Sequence, residues 1–238
     1  MNLLDRVVLV TGASGGLGRQ FVDQARQRGA SKVYAASRRE VSWEDPRVVP
    51  LLLDVTDPKA VAAAAAAAPD VAVLINNAGV TGAGSLLTSP AQEIRATFET
   101  NVFGPLMLVR EFAPILARNG GGAVVNVHSV LSWLAVPGAY SPSKAAFWGL
   151  TNSLRLELAA QQTQVLGAHL GYADTPMTAH LAVSKSDPAV IVARILDALE
   201  SGQSQVLADE LTARVHAALP ALSTGVRPTT TNTERQAS

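Results

Sequence analysis

Residues 11–18 read Thr-Gly-Ala-Ser-Gly-Gly-Leu-Gly, directly after a short apolar run and at the start of the first helical pattern. Glycines in such a strand-to-helix turn let main-chain amides approach a pyrophosphate, and the helix N-terminus adds partial positive charge. The spacing G-x-x-x-G-x-G is not the usual G-x-G-x-x-G, and no Gly-Lys-Ser/Thr follows as in a P-loop. The stretch predicts a nucleotide-binding turn in an α/β fold. Its candidate cofactor-binding residues are Gly12, Ser14, Gly15, Gly16, Leu17 and Gly18.

Short apolar runs alternate with longer helical patterns along the rest of the chain. The predicted strands are 6–10, 32–36, 48–53, 71–75, 123–127, 165–170 and, more weakly, 205–208. The predicted helices are 17–28, 58–68, 90–98, 105–118, 141–160 and 188–201. Near-continuous apolar strands separated by helices indicate a parallel sheet that is covered on both faces.

Composition narrows the class of protein. The chain has 238 residues, of which 48% are apolar and 16% charged, and its net charge is +0 without a dense basic run. This balance argues against nucleic acid and membrane partners. Cysteine is absent, which excludes disulfides and thiol chemistry, and the four histidines show no metal-ligand spacing, so no metal site is predicted. No apolar run has transmembrane length and no signal peptide is visible, which predicts a cytoplasmic protein.

The domain organisation is simple. No linker or internal repeat interrupts the pattern, so we predict a single domain over residues 1–223. Residues 224–238 are polar and threonine-rich, which predicts a mobile tail.

A phenol and an amine stand four residues apart at the start of a predicted helix, in Tyr140-Ser-Pro-Ser-Lys144. Residues at this spacing share a helix face, and an ammonium can favour the tyrosinate form. Asn76-Asn77-Ala78-Gly79 and Ser129 follow predicted strands, and Asn101 lies in the helical stretch after the fourth strand. Because ligands of open α/β sheets bind beyond the carboxyl ends of the strands, these residues are expected to meet in one crevice.

With the T-G-x-x-x-G-x-G turn, N-N-A-G, Asn101, Ser129 and Y-x-x-x-K in this order, the chain resembles the short-chain dehydrogenases/reductases over roughly residues 5 to 210. The resemblance implies a doubly wound, Rossmann-type α/β fold, with about seven parallel strands between helical layers in a three-layer sandwich. It also implies hydride transfer between a nicotinamide and a carbonyl or alcohol carbon.

The same resemblance implies catalytic roles. Tyr140 would be the general acid/base, and Lys144 would lower the pKa of that phenol and bind the nicotinamide ribose. Ser129 would hold the substrate oxygen, and Asn101 would hold a water in the proton relay. Ser129 lies two residues closer to Tyr140 than the family usually places its serine, which a shorter loop over residues 130–139 explains. Ser132 is the alternative.

The end of the second predicted strand bears on the choice of cofactor. It carries Ser37 and Arg38 instead of an acidic residue, and a guanidinium suits a 2′-phosphate, so NADP(H) is predicted over NAD(H). By resemblance, Asp54 and Val55 would contact the adenine. By the same resemblance, Asn77, Ala78 and Gly79 would line the adenosine-side ribose. Ala173 and Thr175 would contact the nicotinamide carboxamide.

The predicted substrate-pocket walls are Val130, Leu131, Trp133, Tyr172 and Met177, with His128 as a further candidate, although core packing would also explain these residues. Such an apolar pocket favours a neutral ketone, aldehyde or secondary alcohol. The predicted function is reversible NADPH-dependent carbonyl reduction by a homodimer or homotetramer that associates through helices 105–118 and 141–160.

Two other functions stay open. One is a noncatalytic NADP(H)-sensing protein on the same fold. The other is a serine hydrolase, because Gly12-Ala13-Ser14-Gly15-Gly16 also satisfies G-x-S-x-G, and Asp209 and His216 occur later in the chain.

Overall fold

Seven short, largely apolar runs form parallel strands in the computed structural model, which describes residues 1–223; the predicted tail lies outside these residues. The sheet order is β3-β2-β1-β4-β5-β6-β7, and every neighbouring pair is parallel. The strands are β1 (Val7–Thr11), β2 (Lys32–Ser37), β3 (Val48–Leu52), β4 (Val73–Asn76), β5 (Ala123–Val127), β6 (Gln164–His169) and β7 (Gln205–Leu207).

Helices cover both faces of this sheet. Within β1, Val8 and Val10 belong to one buried cluster with Phe21, while Leu9 belongs to a second cluster with Phe112, as the two-residue period of a strand requires. The described helices are α1 (Gly16–Gln27), α2 (Pro58–Ala67), α3 (Ala91–Phe98), α4 (Gly104–Arg118), α5 (Tyr140–Glu157), α6 (Pro188–Glu200) and α7 (Glu210–Ser223). The predicted doubly wound α/β fold is therefore confirmed.

The boundaries differ from the predictions by a few residues, and two features were not predicted. Helix α7 is one of them. The other is a π-helical turn, Glu99–Phe103, which joins α3 to α4. There the amide of Gly104 donates to the carbonyl of Glu99, five residues back. The proline at position 105 has no N–H, so it cannot donate the α-helical bond to Asn101.

Buried amides connect the centre of the sheet to α5. Asn76 and Asn126 are register partners on β4 and β5, and Nδ2 of Asn76 donates to Oδ1 of Asn126 at 2.9 Å. Nδ2 of Asn126 donates to Oγ1 of Thr151 on α5, also at 2.9 Å. This chain of amides ties the middle of α5, at Thr151, to the carboxyl ends of the central strands.

Among residues 1–223, no helix is both long and apolar enough to cross a membrane.

Candidate active site

The glycine turn and the Asn-Asn-Ala-Gly segment are held together by one hydroxyl. Oγ1 of Thr11 accepts hydrogen bonds from the amides of Asn77 at 3.0 Å and Ala78 at 3.1 Å. In return, Nδ2 of Asn77 donates to the carbonyl of Thr11 at 2.8 Å. Thr11 was not among the predicted site residues. Its position at the end of β1, where a polar residue closes an apolar strand, was the available signal.

Close packing explains why the turn is rich in glycine. Gly12 and Gly16 have positive φ angles of 66° and 53°, which favour glycine. A Cβ added at Gly16 would lie 3.2 Å from Cγ2 of Thr175, so the turn touches the segment that follows β6. Ala173 of that segment is buried. Residues predicted for opposite ends of a nicotinamide cofactor thus lie at one edge of the sheet. Of the other predicted turn residues, Ser14 and Gly15 are exposed, Leu17 is half-buried and Gly18 is buried.

Arg38 and Asp54 face each other beside the ends of β2 and β3. The Asp54 carboxylate accepts hydrogen bonds from the amide and hydroxyl of Thr56, at 2.9 and 2.7 Å. These bonds and then the positive charge of Arg38 lower the pKa of Asp54. Arg38 itself is exposed, and the hydroxyl of Ser37 donates to the carbonyl of Arg39 at 2.5 Å. The guanidinium is therefore accessible to a ligand at this edge. Val55 is buried against Gly104 at the start of α4.

Tyr140 and Lys144 lie on the first turns of α5. Nζ of Lys144 donates to the carbonyl of Val127 at 2.9 Å, and burial lowers the pKa of this lysine to about 8. Burial raises the pKa of Tyr140 to about 12, and a hydrogen bond with the side chain of Ser129 lowers it in part. This direction is opposite to the depression expected from Lys144, whose ammonium is 5.8 Å from the centre of the Tyr140 ring and is directed to Val127.

The two candidate serines have different partners. Ser129 shares a hydrogen bond with Tyr140, and its Oγ accepts the amide of Leu131 at 3.1 Å. Ser132 is buried, and its Oγ accepts the amide of Ser129 at 3.4 Å, which closes the short 3-10 turn Val130–Ser132. Ser129 therefore lies beside the phenol, and Ser132 stabilises the turn that carries Ser129.

Asn101 lies in the π-helical turn with its side chain fully occupied. Its amide exchanges two hydrogen bonds with the main chain of Val80, both at 2.9 Å, and donates a third to Oγ of Ser143 at 3.0 Å. A Cβ at Gly79 would lie 3.3 Å from Oδ1 of Asn101 and 3.7 Å from Nζ of Lys144. Asn101, Gly79 and Lys144 are thus neighbours. Both hydrogens of the Asn101 side-chain amide are therefore donated to protein acceptors.

The five predicted pocket walls are dispersed. Val130 is buried and Leu131 half-buried, while Met177 is 43% exposed. The indole of Trp133 stacks on the ring of His169, with centroids 4.1 Å apart. Tyr172 lines a cavity of about 510 Å³ between residues 183–194 and the start of α7, and none of the other four is in its lining.

The hydrolase alternative lacks a catalytic triad in the described residues. The Asp209 carboxylate accepts hydrogen bonds from the amide of Gly171 and from Thr212. The ring of His216 packs against Trp133, and its Nε2 lies 3.4 Å from Nε2 of Gln205. The acid and the histidine are therefore committed to other partners, and neither orients the other toward Ser14.

A glycine turn at the end of β1 and a Ser–Tyr–Lys group at the same edge define a dinucleotide-dependent class of α/β protein. The family model described as short chain dehydrogenase matches residues 6–185. A curated relative, 2-(R)-hydroxypropyl-CoM dehydrogenase of Xanthobacter autotrophicus, is 34% identical over 193 residues, which cover 74% of this chain and 77% of the relative. The chain therefore belongs to the short-chain dehydrogenase/reductase family of oxidoreductases.

Solved structures agree with this assignment. A short chain dehydrogenase from Burkholderia cenocepacia, in complex with NADP, is 36% identical and superposes with a TM-score of 0.89, covering 94% of this chain and 97% of that one. A family member from Burkholderia phymatum, in complex with NAD, is 23% identical with a TM-score of 0.86, covering 100% and 99%. The second similarity shows the shared fold alone.

Proposed function

We propose that this protein is an NADP(H)-dependent carbonyl reductase that also runs in reverse as an alcohol dehydrogenase. The observation that carries the proposal is that the Ser129 side chain lies close enough to the Tyr140 phenol to lower its pKa, with Lys144 one turn further along α5. Two hydroxyls at one point can both donate to a single carbonyl oxygen. That arrangement suits reduction of a ketone or aldehyde.

The residues fit a dinucleotide. The turn packs closely against the Thr175 side chain at Gly16 and against the main chain of Gly12 at Gly18, and it leaves open space above Gly15, where an added Cβ would meet nothing within 4 Å. Gly12 to Gly18 would hold the pyrophosphate, and Ala173 and Thr175 would hold the carboxamide end. When bound, the nicotinamide supplies or accepts the hydride.

We propose NADP(H) as the cofactor rather than NAD(H) because of the charges beside the end of β2. No carboxylate stands at the end of β2, where it would pair with a free ribose, and the exposed guanidinium of Arg38 suits a phosphate. Asp54 is the nearby carboxylate, and its Oδ1 already accepts both bonds from Thr56. The 36% identical neighbour that binds NADP supports the same choice.

Three side chains of the protein would have separate roles in proton transfer. With a pKa of about 12, Tyr140 is protonated at neutral pH and can donate its proton to the developing alkoxide. Ser129 would donate a hydrogen bond to the same oxygen. Lys144 would contact the ribose, and its positive charge would favour the tyrosinate that remains. Oxidation of the alcohol requires the tyrosinate at the start, so the reverse reaction is expected to rise with pH.

Turnover of NADPH and NADH with a panel of neutral ketones, aldehydes and secondary alcohols tests this function. Tyr140→Phe is expected to bind NADPH with the wild-type affinity and to lose at least about 100-fold in kcat, the usual contribution of a general acid. Unchanged reduction by this variant would refute the mechanism. A wild-type protein that binds NADPH but turns over no carbonyl would favour the cofactor-sensing alternative.

The substrate and the assembly state remain predictions. We propose a neutral carbonyl substrate, a homodimer or homotetramer formed through α4 and α5, and a cytoplasmic location. Light scattering of the purified protein measures the assembly state directly.

A further inference from the structure

Helix α7 lies beyond residues 6–185, the part of the chain that the family model matches, yet it contacts both sides of the candidate active site. The first contact is made by Asp209, which immediately precedes the helix and is 5% exposed. Its Oδ1 accepts bonds from the amide and hydroxyl of Thr212, both at 2.8 Å. Its Oδ2 accepts the amide of Gly171 at 2.5 Å. One carboxylate therefore begins α7 and holds the segment that leads to Ala173 and Thr175.

This contact is tightly packed. A Cβ added at Gly171 would lie 2.8 Å from Cδ2 of Leu211 and 3.3 Å from Oδ2 of Asp209. The segment after β6 thus lies directly against the first turn of α7, and little movement is possible without breaking the bond to Asp209.

The second contact is made by His216, seven residues after Asp209 and so two turns along on the same face of α7. The ring of His216 meets the indole of Trp133 edge to face, with centroids 5.0 Å apart at 60°. The same indole also stacks on His169, at 4.1 Å and 19°. Nδ1 of His169 in turn lies 3.5 Å from the main-chain oxygen of Ser129.

These rings form a stack that runs from the exposed His216, through the half-buried Trp133, to the buried His169, and it supports the proposed catalytic serine. His169 is 0% exposed and touches the ring of His128, the residue before Ser129, at a centroid distance of 4.9 Å. Trp133 follows directly after the turn Val130–Ser132. The position of Ser129 is therefore held from two directions, through its own carbonyl and through the turn that follows it.

We propose that the Asp209–His216 face of α7 is a positioning element that fixes the distance between the nicotinamide segment and Ser129. The inference rests on the proposed function, because Ser129 and the segment through Thr175 are its proposed substrate and cofactor contacts. Catalysis of hydride transfer is sensitive to misplacement of about 1 Å, and one rigid helix touching both flanks keeps that distance constant. Asp209 and His216 are positioning residues, since each acts through another residue.

Each contact has its own kinetic signature. His216→Ala removes one side of the Trp133 stack, so kcat for carbonyl reduction is expected to fall roughly 10-fold while KM for NADPH stays within about 2-fold. His216→Phe restores an aromatic ring against Trp133 and is expected to recover most of kcat. Asp209→Ala releases Gly171 and is expected to raise KM for NADPH as well as lower kcat.

Ala218→Gln is the matched control, because this exposed alanine lies on the opposite face of the same helix. All variants are compared by kcat, KM for each substrate and thermal midpoint. A wild-type kcat in His216→Ala, or a His216→Phe variant as slow as His216→Ala, would overturn the proposal. The proposal would also be overturned if kcat fell only in proportion to the thermal midpoint and did so to the same extent in the control variant.

Hydrogen–deuterium exchange provides a readout that needs no activity. His216→Ala is expected to speed amide exchange in residues 129–134, and Asp209→Ala in residues 170–175, while Ala218→Gln changes neither segment. If the wild-type protein reduces no carbonyl but these exchange changes occur, the proposed function fails and the structural coupling stands. If turnover is normal and exchange is unchanged in both variants, the positioning role of α7 is wrong.

Discussion

A Cβ atom added at Gly18 would lie 2.0 Å from the main-chain oxygen of Gly12. This contact is backbone to backbone, so no side-chain rotation can relieve it. Gly18→Ala must therefore displace the turn or the first turn of α1. Overpacking of this kind costs about 1–3 kcal/mol, which corresponds to a fall in melting temperature of roughly 2–12 °C for a domain of this size.

Gly15 provides the matched comparison within the same turn. It has an extended backbone, with φ of −175°, and an added Cβ would meet nothing within 4 Å. Gly15→Ala is expected to change the melting temperature by less than about 2 °C, since alanine can adopt this conformation and fits the space. Differential scanning calorimetry of both variants without cofactor checks the pair. Equal melting temperatures would contradict the close approach of Gly18 to Gly12.

Replacing the two candidate serines separates catalysis from turn stability. Ser129→Ala removes the hydroxyl that shares a hydrogen bond with Tyr140, and a lost donor to a developing oxyanion typically lowers kcat by roughly 100- to 1000-fold. Ser132→Ala removes the acceptor for the Ser129 amide and is expected to cost about 1 kcal/mol in the free energy of unfolding. Steady-state kinetics and urea unfolding measure both effects. A larger loss of kcat in Ser132→Ala would reverse the assignment.

Arg38→Ala tests the charge that selects NADPH. Loss of a guanidinium–phosphate contact typically costs about 1.5–3 kcal/mol, so KM for NADPH is expected to rise roughly 10- to 100-fold. KM for NADH is expected to stay nearly constant, because NADH has no 2′-phosphate. Arg39→Ala, at the exposed neighbouring position, is the charge-matched control. Equal changes of KM for the two cofactors would refute the role of Arg38.

Because two histidines are buried, we expect the free energy of unfolding to decrease in mild acid. Burial lowers the pKa of His169 to about 4, with smaller effects of the neighbouring charges of His216, Lys144 and Arg155, and burial also lowers the pKa of His128 well below its usual value. Between pH 6.5 and pH 4 the unfolded chain therefore binds protons that the folded chain does not. The stabilisation is complete above pH 6.5 and is lost as the pH falls through 4, by roughly 3 kcal/mol for His169.

Urea unfolding across this pH range measures the effect. His169→Phe keeps a ring against Trp133 but cannot be protonated, so its free energy of unfolding is expected to depend less on pH between 6.5 and 4 than that of the wild-type protein. Identical pH profiles for the two proteins would show that His169 does not titrate differently on folding.

Local patterns were enough to predict most of the fold. The run Ala123–Val127 was predicted with its observed ends, because four of its five residues are apolar, as is typical of a parallel strand that is buried on both faces. Helix α7 was missed, since most of its side chains between residues 210 and 220 are exposed or half-buried and its sequence contains Pro220. Its role depends on contacts rather than on a periodic apolar face.

The candidate site residues were predictable where a short segment of sequence has a recognisable motif of its own. The order of the glycine turn, Ser129, Tyr140 and Lys144 along the chain indicated residues that the structure brings to one edge of the sheet. The raised pKa of Tyr140 depends on burial by neighbours from several elements. The stack of Trp133 on His169 joins residues 36 positions apart, which no local spacing reveals.

The amide pair of Asn76 and Asn126 makes correct strand pairing a condition for assembling the site. A slip of one residue between β4 and β5 would turn one amide to the opposite face and leave two buried polar groups without their partner. The same slip would shift Asn77 relative to Ser129, since each lies just beyond these strands. A chain that pairs these strands wrongly would therefore be both unstable and inactive, so stable misfolded forms with partial activity are not expected.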